Sequence, residues 1–118
     1  MRPNLVSIEA DRILLDYAGV LKASKRKEYR AEMRMMFTTF IRFLQDKGLV
    51  TNPILEANGD LADTTVVRRK DLKDEGVRLF FIGWEEWCDF SGSPAEDIEF
   101  WDKKLQRIRD EKGTDSVE

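Results

Sequence analysis

The sequence predicts a mostly α-helical protein of about four helices in one compact domain, with a small β-hairpin or irregular excursion between helices 2 and 3. Apolar residues recur at helical spacing along most of the chain, and the only β-branched run is Thr64–Val67. The 118 residues, 42 % of them hydrophobic, suffice for one modest core. We therefore expect a single helical domain over residues 1–113 and a frayed C-terminal tail over 114–118.

Apolar stripes define the first two helices. We predict the first over residues 8–22, and the second from an N-cap at Ser24 to a stop at Lys47-Gly48, where glycine tolerates the left-handed conformation. The first stripe comprises Ile13, Leu14, Tyr17, Ala18 and Leu21, and the second comprises Tyr29, Met33, Met36, Phe37, Phe40, Ile41 and Leu44.

Residues 52–67 follow a different pattern. Asn52-Pro53 breaks a helix and Asn58-Gly59 is typical of a turn. The apolar pair Ile54-Leu55 and the run Thr64–Val67 flank this turn. Either a hairpin or an irregular excursion fits the segment.

The last two helices carry start signals. Asp71 is the expected N-cap of the third, and Ser93-Pro94-Ala95-Glu96 forms a capping box for the fourth, which should end near Gly113. Two glycines, Gly76 and Gly83, lie on the apolar stripe of the third helix, which also comprises Leu72, Leu79, Phe80, Trp84, Trp87 and Cys88, the last expected to be buried. Because each glycine costs about 1 kcal/mol relative to alanine there, we expect another helix to approach closely.

Composition narrows the classes of function. The chain has no histidine and one cysteine, so the commonest general base and most zinc ligands are missing. The longest apolar run, Leu79–Trp84, is far shorter than the roughly 20 residues that span a bilayer, and no secretion signal is recognised. We predict a cytoplasmic, non-catalytic protein without cofactor or metal.

Charge is distributed unevenly along the chain. Residues 1–50 contain ten basic and six acidic residues, whereas residues 79–118 contain five basic and eleven acidic ones. Within Leu79–Asp102 there are seven acidic residues and no basic residue. Such a surface raises the association rate with a basic partner, for example a protein whose cleft grips nucleic acid.

Aromatic residues are concentrated in the same segment, which contains all three tryptophans and four phenylalanines. Those on the helical stripes, Phe80, Trp84, Trp87 and Trp101, fit a core. Three others fall outside the stripes, and exposed aromatics rimmed by charge are typical of binding hot spots. The predicted partner-binding residues are Phe81, Glu85, Glu86, Asp89, Phe90, Glu96, Asp97, Glu99 and Phe100.

Besides catalysis by a carboxylate pair or a bound divalent ion, for which only Asp and Glu are left, two alternatives remain open. Basic residues of the N-terminal half and of the segment after Val67 could contact DNA, as in a winged helix-turn-helix regulator: Arg26, Lys27, Arg30, Arg68, Arg69 and Lys70. Against this, the sequence pI is about 5.1, and Glu28 and Glu32 interleave the basic run, which fits a solvated helix face. Self-association of the basic and acidic halves as a homodimer is the other alternative.

The last third of the chain also resembles a known family. From Lys70-Asp71-Leu72-Lys73-Asp74-Glu75-Gly76 through Trp84-Glu85-Glu86-Trp87 to the helix ending at Arg109, it is similar to small helical immunity proteins of bacterial toxin–immunity systems. The resemblance implies a cytosolic inhibitor that binds a cognate toxin or effector and occludes its active site. It assigns no individual residue.

Overall fold

A computed structural model describes residues 11–90 and 94–117 of the chain. These residues form four α-helices and two short strands, which confirms the mostly α-helical class. In chain order the elements are β1 (Ile13–Asp16), α1 (Tyr17–Ala23), α2 (Lys27–Asp46), β2 (Val66–Arg68), a 3-10 turn (Arg69–Asp71), α3 (Asp74–Cys88) and α4 (Pro94–Val117).

Strands β1 and β2 pair antiparallel, with Leu15 opposite Val67 and both side chains buried. The prediction of helix over 13–16 is therefore wrong, while residues 8–10 lie outside the described part. An apolar run such as Ile13-Leu14-Leu15 fits either periodicity, and pairing with a distant strand decides between them. Helix α1 begins only at Tyr17, because the Asp16 carboxylate accepts a hydrogen bond from the Gly19 amide at 2.8 Å.

Helix α2 begins three residues after the predicted cap. Ser24 is instead the C-cap of α1, where its amide donates to the carbonyl of Val20 at 3.1 Å. The end of α2 is confirmed, since Gly48 follows it with a φ of 70°. The predicted stripe is buried at Phe37, Phe40, Ile41 and Leu44. Phe43, which is not part of that stripe, is also buried.

The segment between α2 and β2 is an irregular excursion. The side-chain oxygen of Gln45 on α2 accepts hydrogen bonds from the amides of Ile54 (2.7 Å) and Leu55 (2.8 Å). Leu55 and Leu61 are buried, and Gly59 has a φ of 87° at the predicted turn. Strand β2 ends the excursion, and it pairs with β1 rather than with the Ile54-Leu55 segment as a hairpin would require.

Helix α3 begins at Asp74, and the predicted cap Asp71 closes the preceding 3-10 turn by accepting from the Arg68 amide at 2.9 Å. Ser93 of the predicted capping box lies outside the described residues. Helix α4 runs through Gly113 to Val117, beyond the predicted end.

The chain divides into two compact units, and the boundary lies between Lys73 and Asp74. The first contains the sheet, α1, α2 and the excursion, and the second contains α3 and α4. A single domain over residues 1–113 stays a prediction. In the described part of the chain, no helix is both long and apolar enough to cross a membrane.

Candidate protein-binding surface of the second unit

A continuous series of seven aromatic rings extends across α3 and α4. It includes Phe90, which lies shortly after the end of α3. Each ring contacts the next, with centroids 5.2 to 5.8 Å apart. The series runs Phe81, Phe80, Trp84, Trp87, Trp101, Phe100, Phe90. All seven aromatic residues of the acidic segment belong to it, so the same residues supply both the core and its exposed edges.

The centre of the series is buried. Trp87 and Trp101 are 3 % and 0 % exposed, and their rings meet edge to face. The Trp87 indole N–H donates to the Asp97 carboxylate at 3.1 Å, which joins the two helices. A side chain at Gly83 would overlap the Trp101 indole, so the predicted close approach at this glycine is confirmed.

The two ends of the series are exposed. Phe81 is 49 % exposed and Phe90 is 38 % exposed, while Phe100 is only half-buried. Of the three aromatic residues predicted to bind a partner, Phe81 and Phe90 are therefore exposed. Phe100 is less accessible than these two, and Trp101 packs against it edge to face.

The exposed side of α3 combines these aromatic and acidic features. Phe81, Ile82, Glu85 and Asp89 are all exposed, and we call them the outer face of α3. Neither Glu85 nor Asp89 has an ion-pair partner among the described residues. Sequence reasoning missed Ile82, which is 42 % exposed, because it lies within an apolar run; its position opposite the buried stripe is the signal that could have found it.

Cys88 borders the outer face of α3. Partial burial raises the pKa of its thiol, and the negative charges of Asp89 and Glu85 raise it further. The sequence assigned Cys88 to the apolar stripe, but the side chain is exposed. Because burial is the largest cause, only the smaller part of this increase in pKa reports the negative charge at this end of α3.

Three further predicted acids, Glu86, Asp97 and Glu99, have partners within the second unit. Glu86 pairs with Lys104 at 3.0 Å, and Glu99 pairs with Lys103 at 3.2 Å. Asp97 accepts from Trp87, as described above. The carboxylates of Glu86 and Glu99 are therefore paired with cations, whereas Glu85 and Asp89 on the outer face of α3 have no ion pair among the described residues.

A shallow pocket lies at the Phe90 end of the ring series. Its volume is about 260 Å³. The lining residues are Phe90, Glu96, Glu99, Phe100 and Lys103, and we call this the Phe90 pocket. Four of them were predicted as binding residues; Lys103 was not, because basic residues were not considered part of an acidic surface.

Basic residues proposed for DNA contact lie in the first unit, and several have internal partners. Arg30 donates to the carbonyls of Ser24 and Leu21, Arg68 donates to the carbonyl of Asp11, and Lys70 pairs with the Asp11 carboxylate at 3.1 Å. Arg26 and Lys27 are exposed at the start of α2. Three of the six residues proposed for DNA contact, Arg30, Arg68 and Lys70, thus bind groups of the first unit itself.

Among the described residues, no three side chains of the metal-ligating types converge on one point. Comparison of the chain with protein-family models, with curated proteins and with solved structures finds no match.

Proposed function

We propose that this protein is a non-catalytic inhibitor of the immunity type, which binds a basic toxin or effector domain through the outer face of α3 and the adjoining Phe90 pocket. The observation that carries the proposal is the unpaired charge of Glu85 and Asp89 beside the exposed side chains of Phe81 and Ile82.

The position of this charge is unfavourable for the free protein. Glu85 and Asp89 lie at the C-terminal end of α3, where the helix dipole already places partial negative charge, and the last turn has no basic residue. Asp89 lies just beyond the helix, four residues after Glu85, so both carboxylates add negative charge at this end. A cationic partner would bring positive charge to both carboxylates and would complement the helix dipole at this end of α3.

The neighbouring apolar side chains supply the other requirement of an interface. Phe81 and Ile82 expose 49 % and 42 % of their surface beside the two carboxylates. Burial of an aromatic side chain under a partner is typical of a binding hot spot, and a rim of charge adds association rate and specificity. This combination supports a protein partner over nucleic acid, whose phosphates the acidic face would repel.

The resemblance of the last third to helical immunity proteins agrees with this surface, because the resembling segment contains α3 and most of α4. Localisation in the cytoplasm is part of the same proposal.

The test is an affinity pull-down from cells of the native organism, using the tagged wild type and the double variant Glu85→Lys/Asp89→Lys. We expect the wild type to retain one stoichiometric, basic protein and the variant to lose it. With the purified partner, association measured by surface plasmon resonance should slow by about tenfold or more at low salt in the variant.

The matched control is Glu28→Lys/Glu32→Lys, which reverses two exposed acids at the same spacing on α2. This variant should bind as the wild type does. Equal retention of the partner by the α3 variant would refute the proposed surface, and recovery of DNA in place of a protein would refute the proposed function.

A further inference from the structure

We infer that the Phe90 pocket takes up an arginine side chain of the basic partner, with the guanidinium stacked on Phe90 and paired with the Glu99 carboxylate. The inference rests on the proposed function, since it names the group that the protein recognises on that partner. Its outcome is nevertheless separable, because the pocket can be tested with a peptide that contains no other part of a partner.

The pocket has the two components that a guanidinium binds. Phe90 and Phe100 form its aromatic wall, with ring centroids 5.3 Å apart and planes tilted by 35°. Glu96 and Glu99 supply carboxylates on the same exposed side of α4. A guanidinium is flat, stacks on aromatic rings and donates two parallel hydrogen bonds to a carboxylate. An ammonium lacks this planar shape and interacts as a point charge.

The protein's own lysines already demonstrate this chemistry at the site. Lys104 lies over the Phe100 ring, with its Nζ 5.4 Å from the centroid. Lys103 lines the pocket and pairs with Glu99 at 3.2 Å. Thus Lys103 occupies the carboxylate position of the pocket. Lys104, which pairs with Glu86 and does not line the pocket, shows that the Phe100 ring accepts a cation.

Phe90 is the part of the wall that remains for an incoming cation. Its ring is 38 % exposed, and within the described residues no cation lies over it. The ion pair that an arginine must displace is weak, because the side chains of Lys103 and Glu99 are 77 % and 63 % exposed. Lys103 therefore acts as a replaceable occupant, and a volume of about 260 Å³ leaves room beside it.

The test titrates the ¹⁵N-labelled full chain with the peptide acetyl-Gly-Gly-Arg-Gly-Gly-amide, and observes amide chemical shifts. The citrulline peptide, which is nearly isosteric but uncharged, is the matched ligand control. We expect the arginine peptide to shift the amides of Phe90, Glu99, Phe100 and Lys103, and the citrulline peptide to leave them unchanged.

Variants then separate the contributions of Phe90, Glu99 and Lys103 to binding of the arginine peptide. Glu99→Gln and Phe90→Ala should each weaken the arginine peptide about tenfold or abolish its binding. Lys103→Ala should strengthen it by up to about fivefold, since the competing cation is gone. Arg107→Ala removes a positive charge one turn farther along α4 and should have a smaller effect, and Glu56→Gln in the first unit should have none.

Equal shifts with both peptides, shifts confined to residues outside the pocket, or a Lys103→Ala variant that binds more weakly would each overturn the inference. In those cases the partner pull-down still decides the proposed function independently, because loss of the partner in the α3 variant does not require the pocket.

Discussion

The Trp101 indole on α4 lies directly against the backbone of Gly83 on α3. A Cβ atom at position 83 would overlap Cζ3 of the indole and lie 3.0 Å from Cη2. Trp101 is fully buried, so its ring has little freedom to move away. The glycine therefore sets how closely the two helices approach, which explains its presence in a helix interior at a cost of about 1 kcal/mol.

We predict that Gly83→Ala destabilises the protein by about 1 to 3 kcal/mol, although alanine is the better helix former. The overlap with Trp101 must be relieved by displacing the indole, and this outweighs the gain in helix propensity. Urea unfolding followed by tryptophan fluorescence measures the change. Ile82→Ala, on the exposed side of the same turn, should change stability much less; a more stable Gly83→Ala variant would show that the indole moves freely.

Asp97 was predicted to contact a partner, but its hydrogen bond to the buried Trp87 indole points to an internal role. Asp97→Ala leaves that indole N–H without its acceptor, so we predict a loss of about 1 to 3 kcal/mol in unfolding free energy. Asp97→Asn retains an acceptor oxygen and should lose less. The comparison is made by thermal and urea unfolding.

Glu99→Ala is the control for this series, since it removes only an exposed ion pair on the same helix and should change stability by less than about 1 kcal/mol. Equal effects of Asp97→Ala and Glu99→Ala would mean that the indole hydrogen bond contributes nothing to stability.

Asp89→Lys should stabilise the unbound protein. It replaces a negative charge just beyond the C-terminal end of α3 with a positive one, which the helix dipole favours. We expect a gain of about 0.5 to 1 kcal/mol at low ionic strength, shrinking at high salt. The same change should weaken partner binding, so stability and binding shift in opposite directions.

Glu56→Lys reverses an exposed charge away from any helix end and should leave the unfolding free energy nearly unchanged. If Asp89→Lys destabilises the free protein, Asp89 stabilises the fold. The interpretation of its charge as unfavourable in the unbound state would then be wrong.

The sequence predicts the helices well where periodicity is local. The end of α2 at Gly48 depends on neighbours within a few turns and agrees with the structure. Most of the stripe of α3 is buried too, at Gly76, Leu79, Gly83 and Trp87, whereas Cys88 is exposed. Strand β1 is missed because its pairing with β2 spans some fifty residues of chain, and no local pattern reports such a contact. The apolar run at its start satisfies the helical stripe equally well.

The candidate surface is only partly visible in the sequence. Charge counting finds the acids, but whether each is paired depends on residues of the other helix. Lys104 pairs with Glu86, while Glu85, one residue earlier, is exposed and has no ion pair among the described residues. Likewise Phe90 and Phe100 lie ten positions apart and form one wall only after α3 and α4 pack together. The pocket is a property of that packing.

Cys88 provides a chemical probe of the potential at the outer face of α3. Burial, Asp89 and Glu85, in that order of effect, raise the pKa of its thiol. A raised pKa means less thiolate at a given pH, so alkylation by iodoacetamide at pH 8 should be slower than for a cysteine in an unstructured peptide. The rate plotted against pH should inflect at a higher pH than for that peptide.

Removing the neighbouring charges should reverse part of this effect. Asp89→Asn should move the inflection to lower pH, Glu85→Gln should move it less, and Glu86→Gln, whose carboxylate pairs with Lys104, should move it least. Because the plateau rate at high pH reports access of the reagent, it separates burial from charge. An inflection that none of the three variants shifts would mean that burial alone controls the thiol, and that the acids at this end of α3 create no appreciable negative potential.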